Sequence, residues 1–281
     1  MGSDGTMDGA TGAAPATMPV HSMKRVALAC AWRPRKELSR WLRLRSTLEQ
    51  AYAGITIAVP PDADVDEARE LEARLGVTVA IAPKRFWARP TSRRTALETA
   101  GDAVTHIHYA DGDRLVHWIE THQQEWLETL AALQRTDCLI IGRTERAFQT
   151  HPQAMQQTEG IINAVTSHLL GMAVDLGGGS RGLSRPAVEA VLTRTVPEHF
   201  GDAEWPFTLQ RLGFRVDYRA VEGLDWETPD HYQERVADAE DQQRVAEAYD
   251  QRVDRWAARV RTAAEIVDEA LAATRQPLST P

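Results

Sequence analysis

The feature that most constrains the fold of this chain is the alternation of short apolar segments with longer amphipathic ones in its first half. The apolar segments are residues 26–31, 55–59, 77–81 and 104–109. The amphipathic segments between them are residues 36–48, 66–75 and 93–99. Short apolar segments predict buried strands, and amphipathic ones predict helices. Because strands that alternate with helices form a largely parallel sheet with helices on both faces, we predict an α/β fold.

The second half of the chain is less regular but contains the same kinds of element. We predict strands at residues 137–142 and 214–221, separated by a glycine cluster at 177–179. The predicted helices are residues 152–170, 186–192 and a helix entered at 201–204 that ends at Leu212.

The C-terminal part predicts a long amphipathic helix. Its apolar residues follow one another at spacings of four and three, which is a heptad pattern: Tyr249, Val253, Trp256, Val260, Ala263, Val267 and Ala270. A helix lying on the surface of its own domain is the favoured interpretation, and a homodimer through this helix is the alternative. We therefore expect a disordered leader of residues 1–22, a catalytic domain of residues 23–232 and a helical extension of residues 233–281.

The charge and apolar content of the chain limit its partners and location. With 40 acidic against 32 basic residues the net charge is -8, which argues against a surface for nucleic acid or anionic membranes. No apolar segment approaches the roughly 20 residues of a membrane-spanning helix, and no signal-peptide pattern is present, so a cytoplasmic location is expected. Cys30 and Cys138 lie in apolar segments and predict buried thiols.

Two aspartates directly follow the strand at residues 104–109. Ligands of open α/β sheets bind beyond the carboxyl ends of strands, which is where Asp111 and Asp113 fall. Gly112 lets the backbone turn so that both carboxylates converge. Mg²⁺ and Mn²⁺ prefer such oxygen ligands together with substrate phosphates. The alternative is a solvated acidic turn in which Asp113 caps a helix that begins near Leu115.

Three motifs in order resemble those of family 2-like GT-A glycosyltransferases. The first is the arginine-containing helix at residues 92–100, followed by the strand and Asp111-Gly112-Asp113. The second is the glycine segment at 176–185, and the third is Asp202-Ala203-Glu204. The resemblance covers roughly residues 26–232, and within the family the mannosylglycerate synthase type looks most similar.

The resemblance implies an activity and a set of roles. It implies transfer of a sugar from a nucleotide-diphosphate donor to a small hydroxylated acceptor, with Mg²⁺ or Mn²⁺ bound to the two aspartates. Asp202 would be the catalytic base of an inverting enzyme or would orient the acceptor in a retaining one, with Glu204 in reserve. The glycine segment would contact the acceptor through Gly178, Gly179 and Ser180.

The donor-binding residues are less well matched to the family pattern. The first strand ends in Trp32 and Arg33 where many relatives have a different tail, and the second is followed by a single aspartate, Asp62. Trp32 could stack on a nucleobase and Asp62 could accept hydrogen bonds from its edge, but a tryptophan in this place also serves packing.

Two further choices remain open in the sequence. Arg93 and Arg94 both suit phosphate, but neighbours on a helix point about 100° apart, so one of them faces the diphosphate and Arg94 is preferred. Members of the family often use a later histidine as a further metal ligand. His231 is the candidate here, with Asp225 as the alternative.

Two other functions fit parts of the pattern. Asp111-Gly112-Asp113 also matches the Asp-x-Asp of haloacid-dehalogenase-like phosphatases, but that family places it on the first strand of the core and here three strands precede it. A non-catalytic nucleotide- or sugar-binding protein on the same scaffold is the second alternative.

Overall fold

A mixed β-sheet forms the centre of the computed structural model, which describes residues 25–83, 88–100, 104–231 and 233–276. The described residues form seven strands: β1 (Val26–Ala31), β2 (Gly54–Val59), β3 (Thr78–Ile81), β4 (His106–Asp111), β5 (Cys138–Arg143), β6 (Ser180–Ser184) and β7 (Val216–Val221). Their order is β3-β2-β1-β4-β6-β5-β7. Only β6 runs antiparallel to its neighbours β4 and β5, so the predicted, mostly parallel sheet is confirmed. The strand β6 itself was not predicted.

Helices cover both faces of this sheet. Those of the first half are α1 (Leu38–Arg43), α2 (Arg45–Ala51), α3 (Val65–Leu75), α4 (Ala88–Thr99) and α5 (Gly112–Leu133). Those of the second half are α6 (Glu145–Gln149), α7 (Gln153–Leu170), α8 (Arg185–Arg194), α9 (Glu204–Arg211), α10 (Ala239–Asp250) and α11 (Val253–Arg275). A 3₁₀ turn spans Thr228–Asp230.

Alternation along the strands divides the core into two layers. In β1, Ala27 and Ala29 face the layer that contains α4, α7, α8, α9 and α11, whereas Leu28 and Cys30 face the layer that contains α1, α2, α3 and α5. Successive side chains of a strand point to opposite faces, so a sheet that is covered on both sides requires continuously apolar strands. Cys30 and Cys138 are both buried and free, as predicted.

The C-terminal part forms two helices that break between Asp250 and Val253. The buried side of α11 comprises Ala263, Ile266, Glu269, Ala270 and Ala273, and its apolar members belong to the same core as the sheet. The predicted heptad face is therefore wrong in its N-terminal part, where Val253 is 80% and Val260 is 56% exposed. The apolar side of α11 thus packs on its own domain and contributes to the core.

No helix within the described ranges is both long and apolar enough to cross a membrane. The predicted leader of residues 1–22 lies outside the described residues.

Candidate active site

The acidic motif Asp111-Gly112-Asp113 lies at the junction of β4 and α5. Asp111 is the last residue of β4 and pairs with Ala31 at the end of β1. Helix α5 begins at the next residue, Gly112, where a Cβ atom would lie 2.9 Å from Cβ of Trp32 and 3.0 Å from Sγ of Cys30. Glycine is required here because the turn packs directly on β1. The turn brings Asp113 to the carboxyl edge of the parallel strands, where ligands bind.

Three side chains converge next to this turn. One ligand atom each from Asp113, Glu227 and His231 lies within 4.8 Å of the other two, and Nε2 of His231 lies 2.9 Å from Oδ2 of Asp113. Oε1 of Glu227 is 3.4 Å from Nε of Arg114. Oε2 of Glu227 is buried and accepts no hydrogen bond from any residue that the structure describes. Because a buried oxygen without a donor is costly, this arrangement fits a bound cation.

The charges in this cluster depend on one another. Burial alone would raise the pKa of Asp113, but the charge and hydrogen bond of His231 hold the pKa of Asp113 below its ordinary value. Burial would lower the pKa of His231, but Asp113 and Glu227 raise it above its ordinary value. Nδ1 of His231 lies 2.6 Å from the guanidinium of Arg35, which can only donate a hydrogen bond, so the ring accepts at Nδ1 and donates its single proton from Nε2 to Asp113. A divalent cation bound at Nε2 would displace this proton.

Arg93 connects the motif to Asp202. Its guanidinium donates to Oδ2 of Asp111 at 3.2 Å and to Oδ2 of Asp202 at 2.6 Å, and its side chain is only 3% exposed. Asp111 also accepts a hydrogen bond from the hydroxyl of Tyr109. Asp111 is not one of the three clustered ligands, so its predicted metal role has no direct support in the geometry.

Arg94, the preferred arginine of the pair, points elsewhere. It donates to the carbonyl oxygen of Leu192 and forms a 3.0 Å ion pair with Glu98 one turn further along α4. The preference for Arg94 is corrected on this basis, because the face of α4 that packs toward β4 carries Arg93.

Asp225, the alternative to His231, is committed to another contact. Its Oδ1 lies 2.6 Å from Nε2 of His117, and its Oδ2 accepts a 3.3 Å hydrogen bond from Gln242. His231 is thus the one of these two candidates that lies in the acidic cluster.

The glycine segment packs against the motif. The carbonyl oxygen of Gly179 accepts a 2.9 Å hydrogen bond from the backbone N–H of Asp111. A Cβ at Gly179 would lie 2.8 Å from Oδ2 of Asp111, and one at Gly178 would lie 2.3 Å from the carbonyl oxygen of Ile141. Ser180 is buried within β6, where its Oγ lies 2.8 Å from Nε2 of His108. The acceptor contact expected of Ser180 is corrected on this basis, because its hydroxyl lies inside the sheet.

The predicted donor residues have different surroundings. Trp32 is 2% exposed, donates from its indole N–H to Glu37 at 2.8 Å and packs against Trp41. The packing interpretation applies to its indole N–H, but Trp32 also lines the cavity that contains Asp111 and Asp113, so its base-stacking role stays a prediction. Arg33 and Asp62 form an exposed ion pair of 3.0 Å across the ends of β1 and β2.

Two adjoining cavities open around these residues. The first has a volume of about 400 Å³ and is lined by Asp111, Asp113, Glu227 and His231 together with Arg33, Arg35, Arg114, Arg255 and Arg259. The second is smaller and is lined by residues that include Asp202, Arg93, Glu159 and Thr262. Arg114 and Arg259 line both cavities.

Glu204, the reserve base, lies outside both cavities. Its side chain is fully buried, accepts from the backbone N–H of Val196 at 3.2 Å and lies 3.0 Å from Nδ1 of His199. Burial raises the pKa of Glu204 to about 7. Glu204 therefore belongs to the packing between α8 and α9, and Asp202 is the member of the pair that faces a cavity.

Sequence reasoning missed Glu227 and Arg259. Glu227 precedes His231 by four residues, and a carboxylate so close to a candidate histidine ligand was a usable signal. No sequence pattern pointed to Arg259, since its place at the site follows from the packing of α11 on α7.

Comparisons with known proteins identify the fold. Neither the protein-family models nor the curated proteins give a match. Among solved structures, glucosyl-3-phosphoglycerate synthase from Mycobacterium tuberculosis in complex with uridine diphosphate is 12% identical, with a TM-score of 0.56, over 96% of this chain and 88% of that chain. Its complex with Mn²⁺, uridine diphosphate and phosphoglyceric acid gives a TM-score of 0.53 at 12% identity, over 92% and 82% of the two chains. A likeness of this degree establishes the fold alone, and the chain has the GT-A fold that its motifs predict.

Proposed function

We propose that the protein is a glycosyltransferase that moves a sugar from a nucleotide-diphosphate donor to a small hydroxylated acceptor. The observation that carries the proposal is the convergence of Asp113, Glu227 and His231 on the wall of a cavity that five arginines also line. A GT-A fold with this arrangement at the end of β4 supports a nucleotide-sugar site over a structural role for the acidic residues. The same fold leaves the phosphatase alternative without support.

The ligand set favours Mn²⁺ over Mg²⁺. Mg²⁺ demands oxygen ligands, whereas Mn²⁺ combines carboxylates with an imidazole nitrogen more readily. The similar M. tuberculosis enzyme is described in complex with Mn²⁺. When bound, the cation would neutralise negative charge that develops on the departing diphosphate.

The residues of the chain would hold the donor in the first cavity and the acceptor in the adjoining second cavity. Arg35 and Arg114 line the first cavity, and guanidinium groups donate to phosphate oxygens in fixed directions. Asp202 lies on the second cavity with one oxygen held by Arg93 at 2.6 Å. We assign to Asp202 the acceptance of a hydrogen bond from the acceptor hydroxyl, which fixes that hydroxyl for transfer.

The acceptor is inferred to carry a carboxylate or a phosphate. Arg93, Arg114 and Arg259 line the second cavity, and the Nε atom of Arg259 is buried without a hydrogen-bond partner among the described residues. Nη2 of Arg259 pairs with Glu159, which leaves Nε as the donor that an anionic group of a ligand could use. Phosphoglyceric acid, which the similar enzyme binds, has this chemistry.

Donor binding is tested by calorimetric titration with UDP and GDP sugars, with Mn²⁺ and then with a chelator. We expect one nucleotide to bind only with the metal present. Asp113→Asn should weaken that binding at least about tenfold, because a charged ligand is lost. Asp217→Asn serves as the control, since this carboxylate lies near the opposite end of the sheet. Donor binding that is equally strong in chelator would refute the metal site.

Turnover separates the enzyme from a binding protein. Asp202→Asn should keep donor affinity and lose sugar transfer. If the wild type binds a donor but transfers its sugar to no acceptor in a broad panel of hydroxylated acids, the non-catalytic alternative is correct.

The acceptor assignment has its own matched pair on α11. Arg259→Gln should raise KM for an anionic acceptor roughly tenfold without changing donor affinity. The exposed Arg261→Gln, half a turn away, should change neither value. Equal KM values in both variants would contradict a role for Arg259.

A further inference from the structure

The buried His117 links the helix that begins beside Asp113 to residues 225–231, the segment that carries Glu227 and His231. His117 lies on α5, four residues after Asp113, and its side chain is 1% exposed. Its Nε2 is 2.6 Å from Oδ1 of Asp225, and its Nδ1 is 2.5 Å from Oδ2 of Asp230. These two aspartates bracket Glu227 and lie just before His231.

Both contacts require a proton on the imidazole nitrogen. A neutral imidazole has one donor and one acceptor, so it would direct a lone pair at one of the carboxylates. Burial lowers the pKa of His117, but the hydrogen bonds and charges of Asp225 and Asp230 raise it to about 9. The ring therefore bridges the two carboxylates as an imidazolium.

The two carboxylates are themselves fixed from other sides. Asp230 accepts from Arg40 of α1 at 3.2 Å and from the backbone N–H of Ala237 at 2.5 Å. Asp225 accepts from Gln242 of α10 at 3.3 Å. Residues 225–231 are thus joined to three helices, and His117 is the contact that both ends of the segment share.

We propose that His117 is a positioning residue for the divalent cation: by joining Asp225 and Asp230 to the helix that begins beside Asp113, it sets where Glu227 and His231 stand relative to Asp113. This inference rests on the proposed metal site. In this geometry His117 acts only through the segment, because its two ring nitrogens contact Asp225 and Asp230. Partners that orient ligating side chains typically change metal affinity 10–100-fold when removed.

A purely structural role would give a different result. If the buried ion triad only stabilised the fold, its loss would lower the melting temperature and leave the cation affinity of the folded protein unchanged. The matched control is Asp137→Ala, which removes a carboxylate that accepts hydrogen bonds from Ser184 and from the backbone of Arg215 at the opposite edge of the sheet.

The experiment is a Mn²⁺ titration of the full chain in the absence of donor, in which electron paramagnetic resonance measures the free ion. It is carried out on the wild type, His117→Gln and Asp137→Ala. Melting temperatures are measured with and without Mn²⁺, because a ligand that binds only the folded state raises them according to its affinity. We expect His117→Gln to raise the Kd for Mn²⁺ at least about tenfold and Asp137→Ala to change it less than about twofold.

Each outcome has one interpretation. An unchanged Kd in folded His117→Gln, or an equal rise in Asp137→Ala, overturns the positioning role while the proposed function stands. A wild type that binds no Mn²⁺ overturns the proposed metal site, and the positioning role with it. If His117→Gln does not fold, Asp225→Asn gives the decision, since it removes one charge of the triad and should raise the Kd in the same direction.

Discussion

The two neighbouring arginines of α4 offer a sharp test of the site geometry. Arg93 is buried between Asp111 and Asp202, with ion-pair distances of 3.2 and 2.6 Å. Arg94 instead pairs with Glu98, whose side chain is 49% exposed. The substitutions Arg93→Met and Arg94→Met remove the same charge and leave similar volume, so their difference reports the surroundings.

The structure sets the expected magnitudes. Removal of one partner of a buried ion pair costs about 3–5 kcal/mol; here Asp111 and Asp202 lose the buried guanidinium that they share, and Asp202 keeps a more distant ion pair of 4.0 Å with Arg181. Arg94→Met loses a partly exposed i,i+4 pair worth about 0.3–0.5 kcal/mol and one hydrogen bond to the carbonyl of Leu192, worth about 1 kcal/mol. We therefore expect Arg93→Met to be the more destabilising change by at least about 1.5 kcal/mol.

Urea unfolding at pH 7, followed by circular dichroism, measures both free energies. A large loss in Arg93→Met should be accompanied by loss of the proposed sugar transfer, whereas Arg94→Met should keep most of it. Equal free energies of unfolding in the two variants, or a cost below about 1 kcal/mol for Arg93→Met, would refute the buried connection between the acidic motif and Asp202.

Three further results are expected. Glu204→Gln should keep activity and stabilise the protein above pH 7. Burial raises the pKa of Glu204 from 4.5 to about 7, so the free energy of unfolding of the wild type falls as the pH rises from 4.5 to 7. Unfolding at pH 5 and pH 8 measures this difference, and loss of activity in the variant would restore Glu204 as a candidate base. The pKa of His117 is raised from 6.5 to about 9. Its protonated ring therefore adds up to about 3 kcal/mol to the free energy of unfolding, a contribution that is fully present below pH 6.5 and is lost as the pH rises through 9. A free energy of unfolding that does not change from pH 7 to 9.5 would contradict a protonated His117. Gly179→Ala should lower the free energy of unfolding by about 1–2 kcal/mol and reduce donor affinity, because Gly179 has φ +64° and a Cβ there would lie 2.8 Å from Oδ2 of Asp111. Calorimetry measures the donor affinity and a melting curve measures the stability. Wild-type values in both would show that the backbone accommodates the added methyl group.

Local patterns were sufficient for much of the fold. The apolar segments predicted β1, β2, β3, β4, β5 and β7 to within about two residues. Strand β1, for example, is buried along its whole length and is apolar throughout because both of its faces are covered. The apolar segments missed β6, since Ser180-Arg181-Gly182-Leu183-Ser184 has no apolar run. Its burial is made possible by partners that are distant in sequence, such as His108 for the hydroxyl of Ser180.

Pattern alone was weaker for the terminal helices and the site. The heptad spacing suggested that Val253 and Val260 lie on a contact face, yet both are exposed because the break before Val253 and the packing on α7 and α9 set the rotation of α11. Asp113 was proposed as a metal ligand from the Asp-x-Asp motif, and His231 because a later histidine often serves as a further ligand. In the structure, Nε2 of His231 lies 2.9 Å from Oδ2 of Asp113.

The order of the amino acids was enough to specify the α/β class, the place of Asp111-Gly112-Asp113 at a strand end and the burial of both cysteines. These follow from periodicity and from short-range geometry, which are encoded within a few neighbouring residues. Tertiary structure alone decided that Arg93 and not Arg94 faces Asp111, that Glu227 joins the acidic cluster, and that His117 connects Asp225 to Asp230. Arg93 and Asp111 are 18 positions apart, His117 and Asp230 are 113 apart, and Asp113 and Glu227 are 114 apart. Only the packing of whole helices on the sheet fixes which of these side chains meet.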